Sequence, residues 1–352
     1  LYYNYDIKTI EFHDGYQWRQ VDYTSASGRA LFSGGYTDSN VRTKDIQLIN
    51  IPTLGNATRF GDLARNLSTD GRGVGSQTRA VFMGGYGVQT PGGSNGRQDD
   101  MDYVTIASEG NAIDFGNLSI ARNGQGSVSS STRGLMAGGA TNAGSPGATN
   151  CTNSIEYIEI STLGDAVDFG DLLKERSCSG GVQSSTRGVF GAGDDYHHPA
   201  WQYSALGELD YINMASKGNT TPFGFDIPRI IGGAAGNDVR GCFAGGYLTS
   251  QFASNPATYE GARAMTYVTI SSTGNAQDFG NLTMGYRIYM GGAASKTRGI
   301  WTGGSQYPVH HKTIDYIQFA SLGDSQDFGD LTYNKGYMTS SASDSHGGLG
   351  GF

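Results

Sequence analysis

The chain of 352 residues has little proline, 8 in all, and little charge, with Asp, Glu, Lys and Arg at 16%. A solvated helical protein would carry far more. No Lys/Arg block is present and the net charge is −8, which excludes the clustered basic face that nucleic-acid phosphates require. No apolar run approaches the roughly 18 residues of a membrane-spanning helix. The three cysteines, Cys151, Cys178 and Cys242, lack metal-ligand spacing, and an odd number cannot form a fully paired intrachain framework. The chain opens at Leu1 without an initiator Met or signal peptide and stops at "GGF", so it is expected to be a piece of something longer.

Glycine, by contrast, is abundant at 56 residues, and aromatics reach 11%. Glycine and proline together stay below the roughly 25–30% that marks low-complexity disorder. The aromatics argue for a packed core.

A decapeptide such as "SSTRGVFGAG" recurs along the chain, and its arginine falls at Arg29, Arg79, Arg133, Arg187, Arg240 and Arg298. Five and six residues later stand Gly34-Gly35, Gly84-Gly85, Gly138-Gly139, Ala192-Gly193, Gly245-Gly246 and Gly303-Gly304. In a seventh copy, "SDSHGGLGGF", His346 takes the arginine's place. A second element, of the type "DYVTIASEGNAIDFGNL", follows each of the first six. Glycine precedes phenylalanine by five every time, at Gly55/Phe60, Gly110/Phe115, Gly164/Phe169, Gly218/Phe223, Gly274/Phe279 and Gly323/Phe328.

Residue type turns this period into structure. "DYVTIAS" is β-branched and aromatic, which suits a strand, and the "GN" or "GD" after it is a turn signal. No segment holds a helical apolar spacing for long. Each unit therefore predicts four antiparallel strands: a (Ser-rich), b (ending in Gly-Gly), c and d. Fifty-residue units of this kind cannot cover both faces alone, and radial packing into a β-propeller solves that. The Gly-Gly pairs suit a place where backbones approach closely. The N-terminal "YDIKTIEFHDGYQWRQV" predicts a hairpin turning at Asp14-Gly15 and resembling strands c and d, while the C-terminus supplies a and b. The expectation is a single all-β domain over residues 1–352. It is a seven-bladed propeller whose closing blade is shared between the termini, with 1–22 contributing the hairpin and continuing from a missing upstream region.

The Gly-Gly pair ending strand b, an outer aromatic, and an arginine before the next Ser-rich strand (Arg122, with Arg176, Arg229 and Arg287 placed similarly) resemble the kelch superfamily. Phenylalanine of "DFG" replaces the usual outer tryptophan. "LYYNYDIKTIEFHDGYQWRQV" resembles the "LYYN…DG…W…V" hairpin of tailed-phage fibres and other virion proteins. The repeat itself is similar to kelch-like structural proteins of T4-like marine phages, especially cyanophages. These resemblances imply a virion, extracellular location, with other virion proteins and a host-surface glycan or receptor as partners.

Strand alternation puts the a–b and c–d turns on one rim and the b–c and d–a connections on the other. The first set is short and uniform; the b–c loops vary, and variable loops on a constant scaffold are where binding sits. This rim is expected to carry Tyr196, His197, His198, Trp201 and Tyr203, then Phe252 and Tyr259, then Tyr307, His310 and His311. Aromatics there suit a sugar or a protein partner, or they fold down and pack the loops. Adjacent histidines on extended backbone point opposite ways and no carboxylate cluster supports them, so no metal, cofactor or catalytic residue is expected. "DDMD" (99–102) lacks the glycine and spacing of a calcium loop. The recurring "FGDL" aspartates suggest turn capping. The sequence thus points to a non-enzymatic virion component that attaches to a host or docks within the particle. A propeller enzyme (a copper oxidase or a glycan hydrolase) and a bacterial surface adhesin are the alternatives.

Overall fold

The computed structural model describes residues 2–4, 9–13, 18–20, 28–39, 41–64, 67–69, 71–88, 95–141, 150–177, 180–195, 205–230, 232–247, 263–285, 287–306, 309–337 and 340–345. They form strands, bridges and turns, with no α-helix among them. No helix is long and apolar enough to cross a membrane.

Five sheets of four or five strands and one of eight contain the repeat, and each has the same antiparallel core in the order a-b-c-d. In blade two these strands are Arg72–Gly75, Arg79–Met83, Asn95–Thr105 and Ile113–Asn123. Blade three has Gly126–Ser129, Arg133–Ala137, Ser154–Glu159 and Val167–Asp171. Blade four has Gly180–Gln183, Arg187–Gly191, Glu208–Asn213 and Thr221–Phe225. Blade five has Gly233–Gly236, Arg240–Ala244, Ala264–Thr269 and Gln277–Asn281. Blade six has Gly291–Ala294, Arg298–Thr302, Val309–Gln318 and Gln326–Lys335.

Blade one closes the ring. Its b, c and d strands are Arg29–Ser33, Asp45–Asn50 and Thr58–Asp62, and its a strand is the C-terminal Ser340–Ser343. Ser340 pairs with Ser33 and Ser343 with Ala30, the register that Gly126–Ser129 takes on Arg133–Ala137. The six a strands contact one another in an unbroken circle, each touching the next. The fold is a β-propeller, and the expected count of seven is corrected to six. The C-terminal Ser-rich strand does not begin a further blade; it supplies the inner strand that the first unit needs. The N-terminal strands Tyr2–Asn4, Thr9–His13 and Trp18–Gln20 pair only with one another among the described residues. The strands that flank the predicted turn pair antiparallel, with His13 opposite Trp18, while Asp14 and Gly15 lie outside the described residues; these strands are not half of a closing blade.

Two devices hold adjacent blades together, and both explain the invariant spacing. The turn glycine between c and d donates its N–H to the phenylalanine carbonyl of the preceding blade's d strand. Gly110 reaches Phe60 at 3.1 Å and Gly164 reaches Phe115 at 2.9 Å; Gly218, Gly274 and Gly323 repeat this, and Gly55 closes the circle on Phe328. The Gly-to-Phe interval of five thus separates one inter-blade donor from the next inter-blade acceptor. The residue after each turn glycine adds a side-chain bond: Oδ1 of Asn56, Asn111, Asp165, Asn219, Asn275 or Asp324 accepts a backbone N–H of the preceding d strand. Capping therefore belongs to these turn residues, while the "FGDL" position supplies the N–H.

The repeated arginine is the second device. In blade four the Arg187 guanidinium lies 4.3 Å over the Tyr211 ring, and Tyr211 meets Phe223 edge-on at 6.1 Å. The Arg–Tyr–Phe set recurs in blades two, three, five and six. Each arginine then reaches a c–d turn carbonyl of the next blade: Arg79 to Ser161, Arg133 to Ala215, and Arg298 across the closure to Pro52. Strand b is buried along nearly its whole length because both faces meet neighbouring blades. Apolar clusters fill the six gaps, one of them joining Leu135, Phe169, Phe190 and Ile212 across blades three and four.

Candidate functional site

The circle of a strands is too tight for side chains of any size. A Cβ on Gly73, Gly181 or Gly292 would fall 2.1–2.3 Å from a carbonyl oxygen of the adjacent a strand. Serines tie those strands together: Ser127 Oγ donates to Gly73, Ser341 Oγ to Gly292 and Ser343 Oγ to Ala294. The axial cavity that remains is about 80 Å³. Ligand pockets run to roughly 300–1,000 Å³, so the axis has room for a few waters but is too small for an organic ligand. The Ser- and Gly-rich decapeptide is the inner wall of the ring.

At the b–c and d–a rim, a buried cation fixes the chain as it leaves the d strands of blades two to six. Arg122 pairs with Glu156 at 2.8 Å and donates to the Gly138 carbonyl of blade three. Arg176 pairs with Asp210 at 3.1 Å. Arg229 donates to the carbonyls of Gly245 and Ala264, and Arg287 pairs with Asp315 and donates to Gly303. Lys335 takes the place between blades six and one, bonding the Gly34 carbonyl and Asp45 at 2.6 Å. Burial lowers the basicity of these cations, in Arg287 to about 10. Burial would raise the Asp45 carboxyl, but the Lys335 ammonium outweighs it and holds that group below its ordinary value. The Gly-Gly pairs sit at these crossings with left-handed φ throughout; Ala192 takes the first glycine's place at φ 59°.

Directly after each of these cations the chain bridges to the following blade, and in the three connections where the second residue on is described, that residue is left-handed. In the blade two–three connection the left-handed residue is Gly124, at φ 71°. In the five–six and six–one connections the same position is Tyr289, at φ 56°, and Tyr337, at φ 59°. Glycine adopts this conformation freely, whereas another L-residue bears about 1–2 kcal/mol of strain there. The two tyrosines stack on each other with centroids 4.1 Å apart.

They are one end of a continuous file of half-buried side chains. Tyr337 meets Tyr36 edge-on at 5.5 Å, the Arg42 guanidinium lies 5.4 Å over Tyr36, and the same guanidinium lies 5.9 Å from the Tyr86 ring. The file runs from the five–six connection through blade one to blade two, all on the rim of the b–c loops. Met290, next to Tyr289, lines the axial cavity.

His310 lies beneath this file. It is only 5% exposed, its Nδ1 is 2.8 Å from Ser305 Oγ, its ring abuts Tyr337, and its backbone N–H donates to Asp38. It therefore supports the rim from below and is not presented on it. Among the described residues no three His, Cys, Asp or Glu side chains are grouped to hold a metal ion. Cys151 and Cys242 are buried, and burial pushes the Cys242 thiol well above its ordinary pKa. The other expected rim residues, Tyr196, His197, His198, Trp201, Tyr203, Phe252, Tyr259 and Tyr307, lie outside the described residues, as does Cys178.

Sequence reading missed Tyr36, Arg42, Tyr86, Tyr289 and Tyr337. A signal was present for the first group: "GGY" occurs at Tyr36, Tyr86 and Tyr247, placing a tyrosine just beyond the crossing. For Tyr289 and Tyr337 the only mark was a Tyr-Met pair before the Ser- or Gly-rich strand.

Burial lowers both His310 and His311, the latter also through the like charges of Arg287 and His310, while Asp38 opposes the shift. Both fold neutral, so the unfolded chain takes up protons first as pH falls below 6.5. Their contribution is complete above that pH and is lost as pH falls toward the folded-state values. The melting temperature is expected to fall between pH 7 and pH 5, and His310→Gln to flatten that fall. A variant with the native pH slope would refute the assignment.

No protein-family model matches the chain, and comparison with curated proteins finds no relative.

Proposed function

We propose that the chain is a non-enzymatic structural component of a tailed-phage virion, a propeller whose b–c rim attaches to a host-surface glycan or protein or docks onto another virion protein. The observation that carries this reading is the contrast between the two rims. The a–b and c–d rim is the same hydrogen-bonded, arginine-stacked surface in blade after blade. The opposite rim differs from blade to blade in loop length and carries the tyrosine file. A scaffold identical on one side and individual on the other presents a recognition surface. The virion assignment rests on the resemblance of the N-terminal hairpin and of the kelch-like repeat to phage structural proteins.

The test is immunogold labelling of purified phage particles with antibody to this chain, together with binding of fluorescent protein to marine cyanobacterial cells. Labelled particles are the expected result, with cell binding if the rim faces the host. Unlabelled particles and no cell binding would overturn the reading.

A further inference from the structure

From the rim geometry we infer that the tyrosine file at the six–one seam is a carbohydrate site, which takes a neutral oligosaccharide along Tyr289, Tyr337, Tyr36 and Tyr86. The inference rests on the attachment reading above and names the ligand class for it.

Three observations point the same way. Left-handed backbone at Tyr289 and Tyr337 is imposed by the ring, because Gly124 has it at the equivalent place. Glycine would satisfy that geometry without strain, yet the two positions at the end of the file carry tyrosine. Tyr289 packs in part on Ile230 and Ile288 and Tyr337 on His310, and strain retained at these half-buried positions points to a use for the side chains.

The chemistry of the file is the second. It is built of tyrosine, which joins a flat apolar face to a polar tip, and not of leucine or phenylalanine. Sugar rings present weakly positive C–H faces that suit the negative face of an aromatic ring, with hydroxyls around the edge for the phenols. Centroid separations of 4.1 and 5.5 Å, continued by Arg42 at 5.4 and 5.9 Å, give a narrow file that suits a chain-like ligand. A protein partner needs roughly 800 Å² per side with an apolar centre. Among the described residues, the exposed large apolar side chains next to the file in sequence are Val41, beside Arg42, and Val309, beside His310, in different blades.

Charge is the third. The chain carries a net −8, Asp38 is exposed beside the file, and the guanidinium of Arg42 lies over two rings. An acidic polysaccharide would be repelled by the first two and would have to compete with the tyrosines for the third.

The experiment uses the full chain, a printed array of neutral and acidic oligosaccharides, and neutral polysaccharide fragments from marine cyanobacterial surfaces. The native protein is expected to bind neutral oligosaccharides. The double variant Tyr289→Gly/Tyr337→Gly removes the rings while relieving the backbone. It is expected to keep its fold and lose at least tenfold in affinity. Should it fail to fold, Tyr289→Phe/Tyr337→Phe keeps the stack, removes both hydroxyls and is expected to lose affinity by severalfold. Neutral-glycan binding unchanged in the folded variants would overturn the site while leaving the attachment reading intact. Preference for acidic glycans would overturn the ligand class. Array silence with tight binding to a purified virion subunit would overturn the carbohydrate inference and support the docking form of the proposed function. Silence toward glycans, cells and virion subunits alike would overturn both.

Discussion

Gly61→Ala is expected to destabilise the propeller by about 4 kcal/mol, whereas Gly110→Ala, at the glycine it touches, is expected to change stability by less than about 0.5 kcal/mol. Gly61 lies in the d strand of blade one, where a Cβ would fall 1.9 Å from the Gly110 carbonyl oxygen and 2.5 Å from its carbon. The obstacle is backbone, so no side chain can swing aside. Three bonds pin that turn: Gly110 N–H to Phe60 at 3.1 Å, Ala112 N–H to Asp62 at 2.8 Å, and Asn111 Oδ1 to the Asp62 N–H at 3.0 Å. A shift that clears the methyl group breaks most of them, at about 1 kcal/mol each, and opens the apolar gap below. At Gly110 a Cβ meets nothing within 4 Å, and its φ lies outside the left-handed region. Denaturant melts of the two variants give the answer. Equal losses would mean that the neighbouring turn is not seated on the d strand as described. Gly280→Ala meets the same obstacle, its Cβ falling 2.3 Å from the Gly323 oxygen, but Gly323 itself has φ +143° and is expected to lose stability on substitution as well.

That pair also shows how much of the fold the sequence carried. The Gly-to-Phe spacing was legible because it repeats, and repetition signals a constraint even when its cause is hidden. The cause is between blades: the glycine and the phenylalanine serve different neighbours, and no inspection of a single unit reveals that. Strand types and the rim division followed from local residue type for the same reason that the blades resemble one another. The tyrosine file was not legible, since a positive φ is read from glycine and asparagine, and nothing local marks Tyr289 or Tyr337 as left-handed. His310 was legible as a residue of the rim segment but not as a buried one. Its burial depends on Ser305, Asp38 and Tyr337, which come from blades six and one and the junction between them.

The blade count failed for a reason that leads to the second large effect. The chain contains two Ser-rich segments for one inner position, "YTSASGR" (23–29) and "MTSSASDS" (338–345), and local sequence does not rank them. The structure seats the second: Ser340–Ser343 pairs along Arg29–Ser33, Asp344 receives the Arg29 N–H, and Ser341 and Ser343 bond the carbonyls of blade six. Deleting residues 340–352 removes all of these, and at about 1 kcal/mol per bond the loss is expected to exceed about 5 kcal/mol. For a domain whose total stability is about 5–15 kcal/mol, that abolishes cooperative melting or lowers the transition far below that of the intact chain. Deleting residues 1–20, whose described strands pair only with one another, is expected to leave the ring's melting unchanged. A covalent check avoids the ambiguity of an unfolded variant: Ser33→Cys with Ser340→Cys places two thiols at directly paired positions, and oxidation is expected to link the ends and raise the melting temperature. A truncated chain that melts like the intact one would show that the earlier Ser-rich segment can take the inner position. Failure of the cysteine pair to link would place the closing strand elsewhere.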